Sequence, residues 1–80
     1  MKRKIELYGR LRDAGFGAAV SVDVPQNATA RQALSVLKSA FGEKASLLQG
    51  CALATGEEVL AAGDTLPSGR LALLPPVCGG

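Results

Sequence analysis

The sequence has no histidine and no tryptophan, and only one tyrosine and two phenylalanines. Without histidine, neither a Ser-His nor a Cys-His nucleophile pair can be assembled. The common zinc sites need more Cys and His than this chain has. With 4% aromatic residues, the core has to be built from Leu, Val, Ile and Ala. The two cysteines, Cys51 and Cys78, are too few for a disulfide framework, and the expectation is a reduced, cytoplasmic protein. Long apolar runs are also missing. A bilayer span needs about 20 such residues, so no membrane association is expected. The basic "MKRK" start leads into the charged stretch "IELYGRLRDAG" instead of an apolar segment, which argues against a signal peptide. Charge of one sign is scarce too. Nine Lys and Arg against seven Asp and Glu give +2, which favours neither nucleic acid nor an anionic membrane surface as partner. Gly15 and Gly17 form no GxGxxG fingerprint, and "GEKAS" lacks the upstream glycine of a P-loop. The chain is therefore not expected to catalyse a reaction unaided.

What is present fits one small domain. Eighty residues, 48% hydrophobic and 20% charged, are enough to fold alone while burying roughly 60% of the unfolded chain's surface. From Lys4 to Leu11, Ile5, Leu7 and Leu11 alternate with Lys4, Glu6 and Arg10, the pattern of a half-buried strand. Gly15 and Gly17 mark a turn. In "AAVSVDVP", Val20, Val22 and Val24 point one way and Ser21 and Asp23 the other, and Pro25 stops the strand. The two strands make a hairpin. "NATARQALSVLKSAFG" reads as a helix. Thr29 and Gln32 form a capping box, Ala30, Ala33, Leu34, Leu37 and Phe41 a single apolar stripe, and Gly42 the closing glycine. Val36 lies off the stripe. "EKASLLQG" is a loop or a short helical turn. Two short strands are expected at 51–54 and 57–60, turning at Thr55-Gly56. The last, Leu71 to Leu74, is a continuous apolar run expected to be buried on both sides, and Pro75 and Pro76 end its pairing. The Glu57-Glu58 pair and the Lys2-Arg3-Lys4 cluster read as solvated surface.

One helix cannot cover two sheet faces. The fold class is therefore α+β: a mixed sheet with the main helix packed on one face and the final strand central, parallel to the first. The crossover this requires makes it a ubiquitin-like β-grasp. Residues 1–76 form the domain and 77–80 a tail.

That tail raises its own question, because the sequence closes with Gly79 and Gly80 straight after a core strand. One reading is a frayed end. The other is chemical. Two glycines make the thinnest thread the backbone allows, able to carry a terminal carboxylate into a narrow site. A carboxylate is a poor electrophile until activated, for example as an acyl adenylate, which sulfur or an amine can then attack.

"ALLPPVCGG" resembles the C-terminal signature of the MoaD/ThiS sulfur-carrier family, most closely the small subunit of molybdopterin synthase. "YGRLRDAG" and "NATARQALSVL" resemble the loop and capped helix of the same group, so the likeness runs over essentially the whole chain. The resemblance implies a β-grasp fold. It implies that a MoeB- or ThiF-like adenylating enzyme uses ATP and Mg²⁺ to activate Gly80, this chain binding no cofactor itself. It implies a sulfur donor protein that yields the Gly80 thiocarboxylate, with Gly79 threading the tail, and a MoaE-like large subunit that receives the sulfur for molybdopterin. Leu73, Leu74, Pro75, Pro76 and Val77 match a stretch that helps form the family's partner surface. They can equally be read as core and strand exit. Cys78 departs from the family's usual Ala, Ser or Thr, either as a small residue tolerated there or as a thiol used in sulfur handling. Carriers for thiazole, cysteine or other thioacids, a protein modifier joined to lysines through Gly80, and an adaptor that never uses its terminus are the alternatives.

Overall fold

A computed structural model of the chain describes residues 1–56 and 58–75. Strand β1, Lys2–Leu7, pairs antiparallel with β2, Ala19–Asp23. Alternation sends Ile5, Leu7, Val20 and Val22 into the core, while Lys4, Ser21 and Asp23 stay exposed on the other face. β1 stops short of Leu11, contrary to the sequence expectation. Gly9 turns the chain at φ +60° into a 3-10 segment, Gly9–Ala14. Leu11 reaches full burial from that segment, with its N–H donated to the Tyr8 carbonyl at 3.2 Å. Gly15 and Gly17, at φ +101° and +80°, complete the return to β2.

Helix α1, Ala30–Phe41, carries the expected capping box. The Gln32 N–H donates to Thr29 Oγ1 at 3.3 Å, and the Thr29 N–H donates to Gln32 Oε1 at 2.8 Å. The segment after Leu60 satisfies the remaining donors at this end. Ala30 N–H donates to the Asp64 carbonyl at 2.9 Å and Arg31 N–H to the Ala62 carbonyl at 3.0 Å. All four N–H groups that a helix start leaves unpaired therefore have partners. Ala30, Ala33, Leu37 and Phe41 are buried, and Leu34 and the off-stripe Val36 pack partly against the same core. At the far end, Gly42 N–H donates to the Lys38 carbonyl, and a second 3-10 segment, Gly42–Leu48, buries Leu48.

β3, Ala52–Ala54, and β4, Leu71–Leu74, complete a four-stranded sheet in the order β2-β1-β4-β3. β4 is central, parallel to β1 and antiparallel to β3, as the connectivity requires. Two expectations are corrected. The stretch 57–60 contributes a single Ala54–Val59 bridge instead of a strand, with Glu57 outside the described residues. Two hydrogen bonds flank that bridge, from Thr55 N–H to the Glu58 carbonyl at 2.9 Å and from Leu60 N–H to the Leu53 carbonyl at 2.8 Å, and Leu60 is buried in the core. β4 is also not buried on both sides. Leu71 and Leu73 are fully buried, whereas Ala72 and Leu74 are half-buried, because α1 covers one face of the sheet only.

Candidate site at the exit of the central strand

The sequence assigned chemistry to the end of β4, and the fold sets that end among three neighbours. Leu7 is in register with Leu73 across the parallel pair, and Ala52 with Leu74 across the antiparallel pair. Gly9 on one side and Cys51 on the other therefore flank Pro75. Leu73 points into the core at 0% exposure and offers no area to a partner. Leu74 lies on the opposite face, half-buried, and Pro75 is half-buried beside it. Pro76, Val77, Cys78, Gly79 and Gly80 lie outside the described residues.

The face that carries Leu74 also carries Ala72, Ala52 and Ala54, by the alternation of β3 and β4 and their register; Ala72 and Ala52 are half-buried there and Ala54 is buried. Glu6, level with Ala72, borders this small-residue strip and is ion-paired to Arg70. The hydrogen bond from Arg70 holds the Glu6 carboxyl below the usual carboxylate value, and Glu6 in turn raises the Arg70 guanidinium. The Tyr8 hydroxyl donates to Glu6 Oε1 at 3.1 Å, which brings the ring, 39% exposed, to the same border. The Arg12 guanidinium carbon stands 5.9 Å from the Tyr8 ring centroid, within cation–π range. Its Nε donates to the Leu7 carbonyl at 3.0 Å. The result is a low, mostly apolar surface with a polar edge, adjoining the point where the chain leaves the sheet.

Cys51 is half-buried, with its thiol donating to the Leu47 carbonyl at 3.2 Å. Burial pushes its pKa up, and the charge of Arg10 opposes that shift. A thiol held protonated is a weak nucleophile, so Cys51 acts as packing. Of the basic N-terminal cluster, Lys2 and Lys4 are exposed. Arg3 ties β1 to the turn before β4, donating to the Pro67 carbonyl at 2.7 Å and the Gly69 carbonyl at 3.0 Å. Sequence reading missed Glu6, Tyr8, Gly9 and Arg70 as members of this site. Glu6 and Arg70 stand 64 positions apart, and only the β1–β4 register joins them.

No protein-family model matches the sequence, and no curated protein matches it. Solved structures do. Small archaeal modifier protein 1 from Haloferax volcanii aligns over 100% of both chains at 29% identity, with a TM-score of 0.71. A second structure of a small archaeal modifier protein 1 from that organism covers 95% of this chain and 98% of its own, at 28% identity and a TM-score of 0.71. A protein named molybdopterin converting factor subunit 1, from Pyrococcus furiosus, shares the fold at a TM-score of 0.66, with 16% identity over 96% of this chain and 99% of its own. The chain shares the β-grasp fold of these MoaD/ThiS-like and modifier proteins. A ubiquitin-like β-grasp accounts for the mixed sheet, the main helix and the central last strand together. Among the described residues, no helix is long and apolar enough to cross a membrane.

Proposed function

We propose that the protein is a sulfur carrier that works through the carboxylate of Gly80. A MoeB/ThiF-like enzyme joins that carboxylate to the AMP moiety of ATP, with Mg²⁺, releasing pyrophosphate. A sulfur donor protein then supplies the atom that displaces AMP, leaving a thiocarboxylate on Gly80. A MoaE-like large subunit accepts the tail and receives the sulfur for molybdopterin. In this scheme the domain contributes no acid or base. It supplies a rigid base for the tail and the outer-face surface around Leu74, where either partner docks. Such an exchange takes place in the cytoplasm.

The observation that carries this reading is the placement of Leu74 and Pro75. The chain leaves from the centre of the sheet, beside an apolar face, five residues before Gly80. The test is to incubate the purified protein with an activating enzyme, ATP, Mg²⁺ and a sulfur donor, and to measure its intact mass. The expected change is that of one oxygen replaced by sulfur, confined to the C-terminal peptide. No pyrophosphate release and no mass change would refute the reading.

A second reading has its own support, since the 29% identity with a small archaeal modifier exceeds the 16% with the molybdopterin converting factor subunit. In that reading the same acyl adenylate is captured by a lysine amine, and the product is an amide. Amide-linked adducts of higher mass that survive thiol treatment favour the modifier, and a thiocarboxylate without them favours the carrier.

A further inference from the structure

We propose that Gly9 is a positioning residue for the Gly-Gly tail: its bare Cα seats the Pro75 ring and so fixes where the chain leaves β4. The inference rests on the reading of Gly80 as the reactive terminus and adds the residue that aims it.

A Cβ added at Gly9 would stand 3.2 Å from Pro75 Cγ, close enough that the ring has to give by a few tenths of an ångström. A Cβ added at Gly15, Gly17, Gly42, Gly56, Gly63 or Gly69 would meet nothing within 4 Å. Gly9 therefore combines a left-handed φ of +60° with an approach so close that any side chain there has to push the Pro75 ring aside. The seat itself is anchored. The Leu7 carbonyl is held by Arg12 Nε at 3.0 Å, and Tyr8 and Leu11 close the turn around Gly9 at 3.2 Å.

Proline transmits the contact. Its ring locks φ, so a shift of the ring re-aims the following chain instead of being absorbed by rotation at that bond. Gly80 lies five positions after Pro75, within a chain reach of about 17 Å, so the place and direction in which the chain leaves β4 set the origin from which the carboxylate is delivered. A misplacement of about 1 Å at a reacting group can lower a rate by about 100-fold.

The test uses Gly9→Asn, because asparagine tolerates a left-handed backbone while adding the Cβ that meets Pro75. Gly17→Asn is the control at another positive φ with open space around it. Activation is read as pyrophosphate release by the activating enzyme, with the carrier as varied substrate. Gly9→Asn is expected to lower kcat by about tenfold or more while KM for the carrier stays within about twofold, because the docking face is intact. Gly17→Asn should leave both unchanged. Gly9→Asn combined with Pro75→Ala should be no slower than Pro75→Ala alone, since the added Cβ then has no ring to displace. Equal effects of the Gly9 and Gly17 variants, or additive effects in the double variant, would overturn the proposal. If the wild-type protein releases no pyrophosphate, the functional reading fails, and backbone amide shifts of Val77 and Gly79 decide the structural one. They should move in Gly9→Asn and stay in place in Gly17→Asn. Amides unmoved by Gly9→Asn would overturn the inference.

Discussion

The two faces of β4 are built from one four-residue string, Leu71-Ala72-Leu73-Leu74, and they do different work. Leu71 and Leu73 are closed into the core under α1, whereas Ala72 and Leu74 look out beside Tyr8 and the Glu6–Arg70 pair. Hydropathy does not separate Leu73 from Leu74. Their separation comes from the pleat, which points neighbours to opposite faces, and from there being one helix to cover one of them. Half-buried apolar residues such as Ala72 and Leu74 contribute less to folding than Leu71 and Leu73, and the proposed function assigns docking to them.

The largest expected effect falls on the covered face. Leu73→Ala should destabilise the fold by about 2–5 kcal/mol, the range for a leucine removed from a closed core, read as a lowered urea midpoint at unchanged slope. If the inner face were as open as the outer one, the loss would be far smaller. Thr29→Ala tests the helix that makes the cover. Removing the capping oxygen should lower stability by about 1 kcal/mol, with Gln32 N–H left to solvent. Leu74→Ala should cost less than about 1 kcal/mol, in keeping with a half-exposed site, yet weaken binding to the activating enzyme measurably by calorimetry or surface capture. A Leu74→Ala variant that unfolds as readily as Leu73→Ala would erase the contrast between the faces.

The smallest effect concerns the edge of the outer face. The folded protein holds the Glu6 carboxyl below its ordinary value, chiefly through the hydrogen bond from Arg70. A carboxyl lowered by folding contributes stability above its unfolded pKa and loses it as pH falls through the folded pKa. The stability gap between wild type and Glu6→Gln should therefore be steady at neutral pH and close on acidification below the ordinary glutamate range. A gap that widened in acid would reverse the sign of the Glu6–Arg70 contribution. Because the pair lies at the surface, raising the salt concentration should shrink it too.

Local patterns made much of this fold legible. The period-two run Val20-Ser21-Val22-Asp23-Val24, the Thr29–Gln32 box and the stripe from Ala30 to Phe41 each state their conformation within a dozen residues, because backbone sterics and side-chain period act locally. Leu11 was misread as strand because its spacing from Ile5 and Leu7 also suits alternation. The break at Gly9 is a matter of backbone angle, which an apolar pattern does not record. Residues 57–60 were misread for a related reason. Leu60 is apolar enough for a strand, but its place is decided by burial in a core that other segments build.

Residue type and spacing were enough to give the hairpin, the helix with its cap, the central parallel last strand and the glycine pair that suggests carrier chemistry. The helix, the hairpin and the glycine pair follow from short-range pattern, and the placement of the last strand from connectivity. Which leucine of β4 is core and which is half-exposed, that Glu6 meets Arg70 and that Pro75 lies against Gly9 became visible once the chain was folded. Those facts depend on strand register and on which face α1 covers, and both are set by contacts between residues some sixty positions apart, a separation at which the chain carries no periodic signal.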